Sequence, residues 1–144
     1  MSQTVPFNKF EEVFENIQKE EKKVVVLFTS DKNQDGNDWC PDCVAVKPIY
    51  ETLENEAKQA GLPFYIFIAG DRPTWKDPEN KFRKNKLIKL SSVPTFCLFN
   101  GKKFVNKLTE GEVLDAANRK MVYEGWPWLL WDWMTYNATW HLNI

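Results

Sequence analysis

The chain has 144 residues, with 19 basic and 20 acidic side chains. This length suits one domain with its own core, and the balanced charge excludes a basic face for nucleic acid or anionic lipid, so no nucleic-acid partner is expected. The N-terminus, MSQTVPFNKFEEVFENIQ, has no apolar stretch of signal-peptide length, so we expect a cytoplasmic protein. In the reducing cytosol, three cysteines favour catalysis or metal binding over a disulfide framework.

The first elements along the chain are a short strand, a helix and a buried strand. Val5 opens a possible strand, and NKFEEVFENI places apolar residues at helical spacing, with Asn8 and Glu11 in the positions of a capping box. Residues 23–30, KVVVLFTS, form a continuous β-branched run, which is typical of a strand buried on both faces. We therefore expect this strand at the centre of a sheet.

A polar loop, a kinked helix and a second buried strand follow. Residues 31–38, DKNQDGND, are turn-forming or polar and predict an exposed loop. Residues 41–61 favour a helix that Pro48 should kink. LPFYIFIAG, residues 62–70, predicts the next strand, and residues 71–86 form a long connection that contains two prolines and ends in one or two helical turns.

The last predicted elements are a hairpin and a closing helix. Residues 93–108 indicate two strands joined by Asn100-Gly101, a strong signal for a tight antiparallel hairpin. Residues 110–125 predict a helix capped by Gly125. Its expected apolar stripe consists of Val113, Leu114, Ala117 and Met121. The order βαβαβαββα implies an α/β fold in one domain, residues 1–125, whose central mixed sheet is flanked by helices on both faces.

The sequence WCPDC places Cys40 and Cys43 at the start of the second helix. Disulfide exchange needs an exposed thiolate, a second thiol within reach and a polarising field. Pro41 suits the first helical position, so Cys40 would lie by unpaired amides and act as the nucleophile, with Cys43 one turn later as the more buried resolving thiol. The carboxylate of Asp42 is expected to raise the pKa of Cys40, which favours a reductase over an oxidase.

Two other interpretations of the cysteine pair remain open. The cysteines could be small packing residues, although they lie at a polar junction and not within an apolar run. They could also bind zinc together with Cys97 and His141, in a C-x-x-C interaction module. That set needs the single histidine, near the chain end, and a cysteine inside an apolar strand, and neither comes in the usual paired spacing. We therefore expect no metal.

WCPDC between a buried strand and a helix, with VPT opening a later hairpin, resembles the thioredoxin superfamily. Two longer motifs narrow the match: FTSDKNQDGNDWCPDC, residues 28–43, and GDRPTWKDPENKFRKN, residues 70–85. Together they resemble the thioredoxin domain-containing protein 17 family of small cytosolic thioredoxin-related reductases. The resemblance covers residues 3–123 and implies a thioredoxin-like fold.

The resemblance implies a protein and small-molecule disulfide reductase that supports redox homeostasis, holds no bound cofactor and is itself reduced by thioredoxin reductase at the expense of NADPH. Its substrates would be small disulfides such as cystine and oxidised protein thiols. Cys40 would be the nucleophile and Cys43 the resolving residue. Residues expected to bind substrate are Trp39, Pro41, Val93, Pro94 and Trp75, with Pro94 as the cis-proline that faces the site. Pro94 could otherwise be a strand-initiating proline, and the two tryptophans loop anchors.

Three departures from better-known relatives affect these expectations. Thioredoxin has a buried aspartate where this chain has Leu27, so Asp42 or water must replace that proton acceptor. Glutaredoxins carry Gly-Gly and acidic residues after the hairpin that KLTEGEVLD lacks, which disfavours the alternative of a glutathione-dependent enzyme. The loops at residues 31–38 and 75–78 are longer than in thioredoxin, and such loops are thought to narrow the range of protein substrates in the related family.

The segment after Gly125, WPWLLWDWMTYNATWHLNI, holds five of the seven tryptophans and lies beyond the resemblance. Polar residues interrupt it too often for a bilayer span, which needs about 20 apolar residues. Residues 126–144 are expected to be a packed C-terminal extension, an interaction or interfacial segment, or a poorly folded appendage. We expect a monomer whose tail can self-associate.

Overall fold

The computed structural model describes residues 2–124. Its strands are β1 (Ser2–Val5), β2 (Val24–Thr29), β3 (Phe64–Ile68), β4 (Thr95–Phe99) and β5 (Phe104–Thr109). Its α-helices are α1 (Phe10–Lys19), α2 (Pro41–Val46), α3 (Tyr50–Gln59), α4 (Arg72–Lys76), α5 (Lys81–Lys84) and α6 (Ala116–Glu124). Short 3-10 helices span Phe7–Lys9, Lys47–Ile49 and Glu110–Leu114. No helix in this part of the chain is long and apolar enough to cross a bilayer.

The five strands form one mixed sheet in the order β1-β3-β2-β4-β5. β1 and β2 each pair with β3 in parallel, whereas β4 runs antiparallel to both β2 and β5. β2 is central and is buried along its whole length, as its β-branched composition predicts. The mixed sheet expected from the order of elements is confirmed.

Successive residues of β2 contribute to two separate cores, one on each face of the sheet. One core contains Val24, Val26 and Phe28 with the apolar face of α1, the two cysteines of the WCPDC motif and Trp75. The other contains Val25 and Leu27 with residues of α2, α3 and α6. Helices therefore cover both faces, which gives the layered α/β architecture.

The helical segment after β2 breaks where Pro48 was expected to kink it. α2 ends at Val46, a 3-10 turn spans Lys47–Ile49, and α3 begins at Tyr50. Proline lacks the amide hydrogen that an uninterrupted helix needs, which explains the break. The long connection from residue 71 likewise contains two short helices, α4 and α5.

The predicted hairpin is confirmed, but its connection has four residues. The amide of Asn100 donates to the Lys103 carbonyl (3.1 Å), and the Asn100 side chain accepts hydrogen bonds from the amides of Lys102 and Lys103. Gly101 adopts φ +95°, and a Cβ there would lie 2.9 Å from the carbonyl oxygen of Glu21. The turn therefore requires glycine at this position.

The capping box predicted from Asn8 and Glu11 is wrong. Asn8 lies within a 3-10 turn, and α1 begins at Phe10 without a side-chain cap. The carboxylate of Glu11 instead forms an ion pair with Lys81 at 2.8 Å, which joins α1 to α5. Local spacing predicted the wrong partner for Glu11 because its actual partner, Lys81, comes from a distant part of the chain.

The closing helix predicted over residues 110–125 is also wrong in its first half. The capping box forms at Thr109 and Glu112 and begins a 3-10 helix, and extended backbone at Asp115 separates that helix from α6. This break rotates the buried face, which consists of Val113, Arg119 and Val122. Of the predicted apolar stripe only Val113 is buried: Leu114 and Ala117 are exposed and Met121 is half-buried. Gly125, the predicted cap, lies outside the described residues.

Candidate active site

Cys40 is the N-cap residue of α2, with extended backbone at φ −116° and ψ 98°. Its Sγ accepts a hydrogen bond from the amide of Cys43 at 3.3 Å, and its carbonyl accepts one from the amide of Val44 at 3.1 Å. Pro41 occupies the first turn, where its missing amide hydrogen leaves no partner unsatisfied, and it is exposed to solvent. The WCPDC motif therefore begins the helix as the sequence predicts.

The sulfurs of Cys40 and Cys43 are joined as a disulfide, with Cα atoms 5.3 Å apart. Cys40 is 7% exposed and Cys43 is 1% exposed, so the first sulfur is the more accessible of the two. Both cysteines lie in the first of the two cores, the one that also contains the apolar face of α1. An incoming thiolate or disulfide therefore reaches Cys40 first, which agrees with its expected role as nucleophile.

The segment before β4 faces this disulfide from across the fold. The peptide bond between Val93 and Pro94 is cis, as the resemblance implies. The Val93 carbonyl oxygen lies 3.6 Å from Cys40 Sγ, a distance at which a reduced Cys40 thiol can donate to it. Val93 and Pro94 are both buried, and Thr95 Oγ1 donates to the Ser92 carbonyl at 2.7 Å, which fixes the approach to β4.

Trp39 and Asp42 flank the cysteine pair in sequence and differ in their surroundings. Trp39 is half-buried and packs against the core that holds the disulfide. Its Nε1 is enclosed and has no hydrogen-bond partner among residues 2–124. Asp42 lies in the first turn of α2 and is exposed. Both positions fit the rim of an active site, and their roles there stay predictions.

Trp75 is buried, whereas a residue that contacts substrate is expected to be exposed. Its ring is 4% exposed and belongs to the same core as the disulfide. The guanidinium of Arg83 lies 3.8 Å from the ring centroid, and its Nε donates to the Trp75 carbonyl at 2.7 Å. This packing favours the loop-anchor interpretation of Trp75, and its predicted contact with substrate stays untested.

Hydrogen bonds join the two long loops of the family motifs, residues 31–38 and the segment that begins at Gly70. The amide of Asp31 donates to the Gly70 carbonyl (2.9 Å), and the amide of Arg72 donates to the Asn33 side chain (2.9 Å). Asp71 caps α4 by accepting from the amide of Thr74. A surface cavity of about 520 Å³ lies between the two loops and is lined by Asn33, Gln34, Asp35, Asp71, Arg72, Pro73 and Thr74.

Leu27, at which the resemblance predicts the loss of thioredoxin's buried aspartate, is fully buried. Its strand neighbours are Ile66 on β3 and Phe96 on β4, both apolar and buried. These three side chains belong to the second core, which packs against α2, α3 and α6. Asp42 or water as the replacement proton acceptor stays a prediction.

A zinc site built on this pair meets two difficulties in the part of the chain described. Residues 2–124 contain no group of three or more His, Cys, Asp or Glu side chains arranged to hold a metal ion. Cys97 is completely buried in β4, and burial raises the pKa of its thiol to about 12, which opposes the thiolate form that zinc requires. His141 lies outside the described residues.

The sequence interpretation missed Glu110 as a neighbour of the site. Its amide donates to the Pro94 carbonyl at 2.9 Å, which brings the start of the third 3-10 helix next to the cis-proline. The capping box signature T-x-x-E at Thr109 and Glu112 was present in the sequence and marks this turn. The contact with Pro94 itself depends on how the hairpin folds back.

The mixed sheet, the dithiol pair at a helix start and the cis-proline facing it define a thioredoxin-fold thiol–disulfide oxidoreductase. Residues 3–124 match the family model described as thioredoxin domain-containing protein 17-like, thioredoxin domain, and the chain belongs to this family. It is 35% identical over 121 residues to the human thioredoxin domain-containing protein 17, covering 83% of this chain and 93% of that protein. It is also 38% identical over 87 residues to the thioredoxin-like protein Clot of Arabidopsis thaliana, covering 59% of this chain and 63% of that protein.

Solved structures confirm the fold. The oxidised thioredoxin O2 from Arabidopsis thaliana superposes with a TM-score of 0.55 at 17% identity, covering 86% of this chain and 92% of that one. Thioredoxin O1 from the same plant, also oxidised, gives 0.54 at 19% identity, covering 85% and 97%. The family model and the human relative confirm the family assigned from the two sequence motifs.

Proposed function

We propose that the chain is a cytoplasmic disulfide reductase that acts through a reversible Cys40/Cys43 dithiol. The Cys40 thiolate attacks one sulfur of a substrate disulfide, which forms a mixed disulfide and releases the first thiol. The Cys43 thiolate then attacks Cys40 Sγ and releases the second thiol. The substrate gains two electrons, and the protein is left with the Cys40–Cys43 disulfide.

One observation carries this proposal: the Cys40–Cys43 disulfide lies at the N-cap of α2, where the amide of Cys43 donates to Cys40 Sγ. A hydrogen bond to sulfur favours the thiolate over the thiol, and therefore favours the reactive form. The greater exposure of Cys40 supports its role as nucleophile, and the burial of Cys43 supports its role as resolving thiol.

The proposal extends to the source of electrons and the substrates. Thioredoxin reductase would restore the dithiol with electrons from NADPH, so the chain itself would need no bound cofactor. Small disulfides such as cystine and oxidised protein thiols are the proposed substrates, with roles in peroxide removal and redox signalling. Family membership over residues 3–124 supports this assignment.

Metal analysis and a coupled assay together test the proposal. The full chain is purified without chelator, and NADPH consumption is followed with thioredoxin reductase and cystine. We expect turnover that is lost in Cys40→Ser and retained in Cys97→Ser, because Cys97 is buried away from solvent. Stoichiometric zinc without turnover would instead support the C-x-x-C zinc module. Turnover that depends on glutathione and glutathione reductase would support the glutaredoxin-like alternative.

A further inference from the structure

Glu110 combines an unusual backbone conformation with a hydrogen bond to the cis-proline that faces the disulfide. It adopts φ +53°, a left-handed conformation that is uncommon for a residue other than glycine. Its side chain is exposed, and among residues 2–124 its carboxylate has no hydrogen-bond or ion-pair partner. The carboxylate is therefore not used to stabilise the fold described.

A short chain of contacts connects Glu110 to the reactive sulfur. The Val93 carbonyl lies 3.6 Å from Cys40 Sγ, Pro94 follows directly, and the Pro94 carbonyl accepts from the amide of Glu110 at 2.9 Å. Two hydrogen bonds from Thr109 to the Glu112 carboxylate, at 2.9 and 3.1 Å, hold the preceding residue. The backbone of Glu110 is thus fixed at the rim of the site.

The same 3-10 helix packs against α2, the helix that begins at Cys40. α2 contributes the exposed carboxylate of Asp42, which also has no partner among residues 2–124. A disulfide that reaches Cys40 between α2 and the cis-proline therefore meets unpaired negative charge contributed by both sides. Cationic groups on the substrate are attracted there and anionic groups are repelled.

We propose that Glu110 is a specificity-determining residue that makes this site prefer disulfides bearing positive charge near the sulfur over those bearing negative charge. The inference rests on the proposed disulfide reductase function. It assigns Glu110 a role in substrate selection and none in the exchange chemistry, which belongs to the cysteines.

Three small disulfides of similar size test the inference: cystamine is a dication, hydroxyethyl disulfide is neutral and dithiodiglycolate is a dianion. The prereduced full chain reacts with each in a single turnover, and acid-quenched samples are followed by intact mass. A unit charge on the substrate about 8 Å from the carboxylate in water changes the rate constant of a charged disulfide about twofold. The effect raises the rate for cystamine and lowers it for dithiodiglycolate. In Glu110→Gln the ratio of the cystamine rate to the dithiodiglycolate rate should therefore fall about three- to fivefold. The rate with the neutral disulfide should stay unchanged.

Two further variants separate charge from structure. Glu110→Gly also removes the carboxylate and accepts positive φ readily, so it should show the same fall in the ratio. Glu12→Gln makes the same charge change on the exposed surface of α1, where Glu12 lies 3.9 Å from Lys9, and should leave the ratio unchanged. High salt should reduce the difference between wild type and Glu110→Gln, because exposed charges are screened.

The outcomes distinguish this inference from the proposed function. No reaction with hydroxyethyl disulfide would overturn the reductase function and the inference together. Reaction with that neutral disulfide but an unchanged charge ratio in both Glu110 variants would overturn the inference alone. An equal fall in Glu12→Gln would also overturn it, because the preference would then come from net charge.

Discussion

Cys40 and Cys43 have different surroundings, and in the proposed function this difference favours Cys40 as the first to react. Cys40 Sγ has the amide of Cys43 on one side and the Val93 carbonyl on the other, whereas Cys43 is almost fully enclosed. A substrate sulfur can align with Cys40, but it cannot reach Cys43 without opening the core. The resolving step of the proposed reaction is intramolecular, which would make it fast once the mixed disulfide has formed.

Replacing Cys43 with serine should trap the mixed disulfide on Cys40. The first attack needs only Cys40, while release of the adduct needs the second thiol. Intact-mass analysis after addition of a disulfide, followed by peptide mapping, locates the adduct. Cys40→Ser is the matched control and should form no adduct. An adduct on Cys97 would contradict the assignment, since the burial and raised pKa of that thiol predict that it does not react.

Asp42→Asn should increase the fraction of Cys40 present as thiolate at neutral pH. The substitution removes an exposed negative charge from the first turn of α2 and leaves the Cys43 amide in place. Thiolate absorbance against pH in the reduced protein measures the change. Glu51→Gln, in the first turn of α3, is a control with the same change in net charge. An unchanged or smaller thiolate fraction would show that Asp42 does not act on this sulfur as proposed.

Between elements, a buried ion pair ties α6 to α3. Arg119 is 5% exposed and donates to both carboxylate oxygens of Glu56, at 2.8 and 3.2 Å, while Tyr123 donates to Glu56 at 2.9 Å. Burial by itself would raise the pKa of Glu56, but the hydrogen bonds from Arg119 and Tyr123 outweigh it, so the pKa is lowered from 4.5. The folded state therefore favours the ionised carboxylate.

Glu56→Gln should lower the free energy of unfolding at neutral pH by about 2 to 4 kcal/mol, because it leaves the Arg119 charge buried without its partner. Since folding lowers the pKa of Glu56, its contribution is present above pH 4.5 and is lost as the pH falls through the folded-state pKa. Denaturant unfolding of both proteins across this range measures the effect. A difference that persists unchanged in acid would contradict the linkage.

In the turn between β4 and β5, the backbone of Gly101 lies so close to the backbone of Glu21 that a larger residue does not fit. Gly101→Ala places a Cβ 2.9 Å from the Glu21 carbonyl oxygen and also imposes positive φ, so we expect a loss of about 2 to 3 kcal/mol in the free energy of unfolding. Gly61→Ala is the control, because Gly61 also has positive φ but no atom within 4 Å of its Cβ position. Equal losses at both sites, measured by denaturant unfolding, would show that the contact with Glu21 is unimportant.

At the scale of the molecule, the sequence predicted those elements that depend on residues only a few positions apart in the chain. The continuous apolar runs gave β2 and β3, and Asn100-Gly101 gave the hairpin, since periodicity and turn chemistry act over a few residues. The split of the final helix was missed because Asp115 adopts extended backbone and its carboxylate accepts from the amide of Ala117, which starts a new helix there. The cysteine pair was found from spacing, and Pro94 from resemblance. Glu110 was not found, because only the folded hairpin brings it to Pro94.

Residues 2–124 form a five-stranded sheet with a hydrophobic core on each face. α6 packs against β5 and β4 and is fastened to α3 by Arg119, so the last described helix closes the second core. We therefore propose a domain boundary near Gly125, with residues 126–144 as a separate extension. That extension contains five tryptophans and lies outside the described residues.

Deleting residues 126–144 should leave disulfide exchange intact and change solubility or self-association. In the part of the chain that the structure describes, Cys40 Sγ contacts the Cys43 amide and the Val93 carbonyl, and the Pro94 carbonyl accepts from the Glu110 amide, so these contacts need no residue of the extension. Each tryptophan carries a large apolar area, whose burial is worth roughly 25 cal/mol per Å², so the five together favour packing on the domain, on another chain or on a membrane surface. Single-turnover rates and sedimentation of the full chain and of a chain ending at Gly125 make the comparison, with circular dichroism as the control for folding. A folded truncation that has lost most of its activity would place the extension in the active site and would move the domain boundary beyond residue 125.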